Sequence, residues 1–152
     1  MKQKIIVYTD GSSLGNPGQG GRGSIILHEG KKEELSGGEP LTTNNRMELL
    51  AVIEVLRYII EHYGEGNEVD IHLDSRYVQE NIEQHLQHRI QRNRRLKSKK
   101  HVANRDLRER LVVLLPTQIL KRTWVKGHAN SVLNNEVDVL AREAAGKQPI
   151  IT

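Results

Sequence analysis

The stretch "TTNNRMELLAVIEVLRYIIEHYG", residues 42–64, constrains the fold more than any other part of the chain. Its apolar residues fall at positions 49, 52, 53, 56, 59, 60 and 63, the spacing of one face of an α-helix. Thr42 or Thr43 supplies an N-cap, and Gly64 is placed to end the helix. A helix with a single apolar stripe must lay that stripe against something, and the flanking sequence offers a sheet. Residues 4–10 alternate around Ile5, Val7 and Tyr8 and read as a strand ending at Asp10-Gly11. "SIILHEGKKEELSGG" reads as two short strands about a turn at His28-Glu29-Gly30, so the sheet opens with antiparallel hairpins.

Further on, "EVDIHLDS" alternates as a strand and "RYVQENIEQHL" has a helical pattern. "RDLRERLVVLL" is a helix stopped by Pro116, and "LKRTWVKG" is a last strand. "LNNEVDVLAREAAG" is a last helix, apolar at 133, 137, 140, 141 and 144. Strands first, then strands alternating with helices, predict a mixed α/β domain. No repeat, low-complexity tract or linker divides the 152 residues, so one domain over 1–152 is expected.

The glycines at 18–23, "GQGGRG", match the spacing of a dinucleotide-binding loop. Such a loop must open a helix whose amide groups face the phosphates. These glycines run instead into "SIILHEG", a strand and a hairpin turn, and no acid stands where a ribose would need one. The dinucleotide reading fails. A close-approach turn after Asp10, bringing Asn16 towards a ligand, is the expectation that replaces it.

The chain has no cysteine, which excludes disulfides and thiolate metal sites. A metal would need oxygen or imidazole ligands, which favours hard ions such as magnesium or manganese. No apolar run approaches membrane-spanning length, and the N-terminus lacks the pattern of a signal peptide, so a cytoplasmic protein is expected. The formal net charge of +4 conceals an asymmetry. Residues 89–105, "RIQRNRRLKSKKHVANR", carry eight Lys and Arg and no acid. The rest of the chain is left with fifteen basic residues against 19 acidic ones, about −4. A basic segment on an acidic body fits a polyanionic partner; a solvated basic loop has the same composition.

The acids then need explaining. Asp10 and Asp74 each end a predicted strand. If the two strands are parallel neighbours, both carboxylates point into one crevice. Each also has a simpler role open to it, as a turn residue for Asp10 and a helix cap for Asp74. Glu48 lies in line with Val52, Val55 and Ile59 at the edge of the buried stripe, where a carboxylate needs a donor or a cation. Favourable interaction with the helix dipole is its simpler role. Asp138 repeats the arrangement on the last helix. Four acids on four elements would repel one another strongly without metal. Two ions about 3.5–4 Å apart, held by carboxylates, are the usual apparatus of in-line phosphodiester hydrolysis. His128, in "KGHANS", could move protons beside them, or be an ordinary exposed loop histidine.

Five blocks in order, "YTDGSSLGNPGQGG", "TTNNRMELLA", "LDSRYV", "WVKGHAN" and "NNEVDVLA", resemble the signature blocks of type 1 ribonuclease H, from the first strand to the last helix. The resemblance implies a ribonuclease H-like fold: a mixed five-stranded sheet, three antiparallel strands then two parallel, flanked by helices. It implies endonucleolytic cleavage of the RNA strand of an RNA–DNA hybrid. Two Mg2+ ions, with Mn2+ as a substitute, would assist, and the cut would leave 5′-phosphate and 3′-hydroxyl ends. Carried over residue by residue, Asp10, Glu48, Asp74 and Asp138 become the metal ligands and His128 the mobile catalytic helper. Asn16, Asn44 and Asn45 would reach the hybrid's minor groove, where 2′-hydroxyls mark the RNA strand. Thr43 and Asn104 would grip a phosphate of the DNA strand.

The basic segment, about 85–105, corresponds to the family's protruding handle. It carries Arg89, Arg92, Arg94, Arg95, Lys97, Lys99 and Lys100. Where familiar members have tryptophans, this chain has His85, Arg89, Arg94 and Arg108, and its one tryptophan is Trp124. Guanidinium and imidazole contacts in place of stacking predict binding that depends steeply on salt. Asn130 and Asn135 depart from the family pattern around "HANSVLNNEVD", and Arg76 follows "LDS". A transposase- or integrase-like core would lack the "TNNRMEL" and "KGHA" blocks. An inactive hybrid-binding module would be expected to have lost a metal acid. A chain of this length leaves no room for a polymerase, and the absence of an exposed apolar stripe predicts a monomer.

Overall fold

In a computed structural model, residues 4–84, 103–124 and 132–150 are described. Five strands, β1 (Lys4–Ser13), β2 (Gly18–His28), β3 (Lys31–Thr42), β4 (Glu68–Leu73) and β5 (Ile119–Trp124), form one sheet. Its order is β3-β2-β1-β4-β5. The first three strands pair antiparallel, and β4 joins β1 and β5 in parallel. Helix α1 (Asn44–Tyr63) follows β3, and α2 (76–84) follows β4. Helix α3 (Arg105–Leu114) leads through a 3₁₀ turn at Leu115–Thr117 into β5, and α4 (Val132–Gly146) comes last. This is the mixed five-stranded sheet that the resemblance implied, within the mixed α/β class that the strand pattern predicted. No helix among the described residues is long and apolar enough to cross a membrane.

Helix α1 is the centre of the core. Leu49, Val52, Ile53, Val55, Leu56 and Ile59 are fully buried against Ile5 and Val7 of β1, Ile26 of β2, Val69 and Ile71 of β4, and Leu107 and Leu111 of α3. Burying side chains of this size contributes roughly 1.5–3 kcal/mol each. Thr43 is the N-cap, accepting a hydrogen bond from the Arg46 N–H at 3.3 Å, and Gly64 closes the helix with φ 77°. Helix α4 covers the opposite face, burying Val137, Ala141, Ala144 and Ala145.

The "GQGGRG" segment differs from its expectation. β1 runs on past Asp10 to Ser13, the chain turns at Leu14–Pro17, and the glycines lie inside β2, paired to both neighbouring strands. Their close approach is to helix α4, not to a ligand. A Cβ on Gly21 would stand 2.2 Å from the Ala141 carbonyl oxygen and 2.3 Å from the Ala145 nitrogen. The glycines let a helix backbone lie directly on the strand, so β2 and β3 are longer than their apolar runs alone suggested.

Candidate active site

Strand register brings the first two acids together. β1 and β4 run parallel with Tyr8 opposite His72, so two residues further on Asp10, still within β1, stands beside Asp74, just past the end of β4. Glu48 arrives from α1, whose second turn lies against β1 at Gly11. A Cβ there would be 2.4 Å from the Glu48 nitrogen, so only glycine lets the helix sit this close. Ligand oxygens of Asp10, Glu48 and Asp74 lie within 4.8 Å of one another. Ser75 supplies the hydroxyl that caps α2, accepting from the Val78 N–H at 3.2 Å.

The electrostatics of this cluster are unfavourable for three anions. Burial, then the charge of Asp74, raises the Asp10 carboxyl from 3.8 to about 7. Its hydrogen bond with Asp138 also favours the protonated form, while that with Glu48 opposes it. Glu48 is only 7% exposed, and burial followed by the charges of Asp10 and Asp74 pushes it well above its ordinary value. Asp138, on α4, reaches Asp10 from one side and pairs on the other with Arg142, one turn on, at 2.7 Å. Oxygen donors alone, crowded and reluctant to ionise together, suit a hard divalent cation that would relieve the repulsion.

The polar residues assigned to substrate gather at the start of α1. Asn16 Oδ1 accepts from the Asn44 N–H at 3.3 Å, which leaves the Asn16 amide group outward, and Asn44 and Asn45 are exposed. Asn104, just ahead of α3, is joined to them through Arg46. The Arg46 guanidinium meets Asn104 Oδ1 at 3.5 Å and both oxygens of Asp106 at 2.9 Å, with Glu39 at 3.7 Å. The Asn104 amide donates to the Tyr77 hydroxyl at 2.9 Å. His128 and the handle residues Arg89, Arg92, Arg94, Arg95, Lys97, Lys99 and Lys100 lie outside the described residues.

Sequence reasoning gave no role to Arg46, Asp106, Tyr77, Gly11 or Arg142. The pairing of Asp138 with Arg142 was legible as an i,i+4 spacing. The Arg46–Asp106 pair spans 60 residues, and no local pattern announces it.

Residues 2–146 match the family model described as RNase H. The chain is 44% identical over 147 residues to the ribonuclease H of Nitratidesulfovibrio vulgaris, covering 96% of this chain and 92% of that one. To the ribonuclease H of Salmonella arizonae it is 43% identical over 145 residues, 95% and 91% of the two chains. Among solved structures, LC9-RNase H1, described as a type 1 RNase H with the type 2 active-site motif, superposes with a TM-score of 0.78 at 30% identity, over 98% of this chain and 75% of that one. LC11-RNase H1 in complex with an RNA/DNA hybrid superposes with a TM-score of 0.61 at 26% identity, over 94% and 97%. The fold, the clustered acids and these matches along nearly the whole chain lead to one assignment: the chain belongs to the ribonuclease H family.

Proposed function

We propose that the chain is an endoribonuclease that hydrolyses the RNA strand of RNA–DNA hybrids by a two-metal mechanism, leaving 5′-phosphate and 3′-hydroxyl ends. The observation that carries this reading is the convergence of Asp10, Glu48 and Asp74, from β1, α1 and the end of β4, within 4.8 Å in a chain of this family. Two magnesium ions, with manganese as a substitute, would supply an activated water and neutralise charge on the leaving 3′-oxygen.

The residues' own contributions follow from their positions. Glu48 forms the buried floor of the cluster, Asp10 is half-buried beside it, Asp74 is its exposed wall, and Asp138 closes it from α4. His128 is assigned the movement of a proton at the scissile bond, on the family resemblance of "KGHAN". With its carbonyl committed to Asn44, the Asn16 amide can only donate outward, which suits a 2′-hydroxyl or a minor-groove base acceptor. Asn44 and Asn45 extend that surface. Thr43 and Asn104 hold a DNA-strand phosphate, and the handle residues attract backbone charge without reading sequence. The hybrid bound to LC11-RNase H1 supports this substrate class. We further propose a single domain over 1–152, acting as a cytoplasmic monomer.

Cleavage of a labelled RNA–DNA hybrid with magnesium tests the reading. The parent should cut only the RNA strand, and Asp10→Asn should lower the rate by at least 10³-fold, roughly 4 kcal/mol of barrier, while keeping the parent's circular dichroism. A parent inactive with both magnesium and manganese, or an active Asp10→Asn, overturns it.

A further inference from the structure

Arg46 lies between Thr43 and Asn104, meeting the first with its backbone N–H and the second with its guanidinium, and the guanidinium favours one orientation of the Asn104 amide. A guanidinium carries donors and no acceptor. The Asn104 amide must therefore turn its oxygen to Arg46 (3.5 Å) and its nitrogen to the Tyr77 hydroxyl (2.9 Å). One amide hydrogen remains for something else. Independently of the side chain at 46, the Arg46 backbone N–H donates to the Thr43 hydroxyl at 3.3 Å as in any N-cap, and among the described residues that hydroxyl accepts but does not donate. Both groups are left as donors.

The guanidinium itself is not free to wander. Asp106 grips it at two points, 2.9 Å each, and Glu39 stands 3.7 Å from Nε. Two parallel bonds fix a guanidinium plane more firmly than one could. Asn104 shows the cost of the arrangement. It precedes α3 in the left-handed conformation, φ 59° and ψ 33°, and makes no capping hydrogen bond to the helix it starts. An asparagine in that place ordinarily caps. Here its side chain faces Arg46 and Tyr77 instead.

We propose that the Arg46 guanidinium is a positioning group that turns the Asn104 amide nitrogen outward, so that it donates beside the Thr43 hydroxyl to one phosphate of the DNA strand. This rests on the assignment of Thr43 and Asn104 to a phosphate given above. Asp106 and Tyr77 act through Arg46 and Asn104, the first by holding the guanidinium plane and the second by holding the amide nitrogen. A deoxyribose phosphate needs donors only, so a site whose neutral groups are locked as donors binds it without rotating into place.

Hybrids in which one DNA-strand phosphate at a time is replaced by a neutral methylphosphonate test the proposal. In the parent, one linkage should stand out, raising KM roughly tenfold, as expected for loss of a charge-assisted hydrogen-bonded contact. In Arg46→Met that sensitivity should fall to roughly two- to threefold, the Thr43 hydroxyl still being held by the backbone, with the loss falling on KM more than on kcat, and Arg46→Lys should restore part of it. Asp106→Asn keeps the guanidinium but releases its plane, and should weaken the sensitivity to an intermediate value. Undiminished sensitivity in Arg46→Met, or in Asp106→Asn should Arg46→Met not fold, overturns the role of Arg46 while leaving the phosphate site standing. A parent indifferent to every linkage overturns the phosphate site and the role of Arg46 with it.

Discussion

Two polar clusters flank the first turns of α1. Around Glu48, three carboxylates share a space of 4.8 Å, and burial and mutual repulsion push Asp10 and Glu48 towards protonation. Around Arg46, one guanidinium meets a carboxylate at two points, and hydrogen bonding to Arg46 holds Asp106 below the ordinary carboxylate range. Among the described residues, the first cluster has too little countercharge to keep Asp10 and Glu48 readily ionised; the second is neutralised by groups of its own. A site meant for cations gains from being left short of positive charge. A site that must present donors gains from having its charges already settled, so that only neutral hydroxyl and amide groups face outward. Arg46 and Glu48 are two residues apart on one helix, yet the charges around them are balanced in opposite ways.

The sharpest way to break this comparison is through pH. Asp10 has a folded value of about 7 against 3.8 ordinarily, so the folded protein binds its proton more tightly than the unfolded chain does. The resulting stability is complete below about pH 4 and is lost as pH rises through about 7. In metal-free protein, Asp10→Asn should therefore melt several degrees above the parent at pH 8, a gain of up to a few kcal/mol, and level with it near pH 4. Paired melts in chelator check this, and an advantage that does not grow with pH would remove the electrostatic account of the cluster.

Metal addition should show the same crowding from the other side. Magnesium and protons compete for the same oxygens, so the rise in Tm on adding magnesium should be larger at pH 8 than at pH 5. At a concentration 100 times its dissociation constant the ion would add about 2.7 kcal/mol. Equal shifts at the two pH values would mean that the ion binds elsewhere. The smallest effect belongs to the neutralised cluster. Asp106→Asn breaks a pair whose acid is 62% exposed, so its cost should stay within about 0.2–1 kcal/mol. Because the Asp106 value is depressed, that contribution is present above the ordinary carboxyl range and disappears as pH falls through the lowered value, the reverse of Asp10. A melt series of Asp106→Asn that follows the sign of Asp10→Asn would erase the distinction between the two clusters.

Helix α1 was legible in full because helix periodicity, cap and stop are all local. Asp74 and Glu48 could be picked out because a strand end and a helix edge make them conspicuous, and Asp10 because Asp-Gly reads as a strand end, although β1 in fact runs on to Ser13. The glycines of β2 misled in detail. Their spacing is visible in the sequence, but whether a glycine makes room for a ligand or for a helix depends on what packs above it, and α4 comes from 110 residues later in the chain. Arg46 was quoted within its motif and still carried no visible task, since its partner Asp106 belongs to α3.

By itself the sequence determined the mixed α/β class, the place of the main helix and the identity of the acids, because these follow from short-range periodicity, caps and residue chemistry. Only the tertiary structure decided that three of those acids meet within 4.8 Å, that the glycine run is a strand beneath α4, and that the Arg46 guanidinium meets Asn104 and Asp106. The physical reason is the same in each case. Distance, burial and hydrogen-bond direction are set by strand register and helix packing between segments far apart in the chain, and no local pattern encodes them.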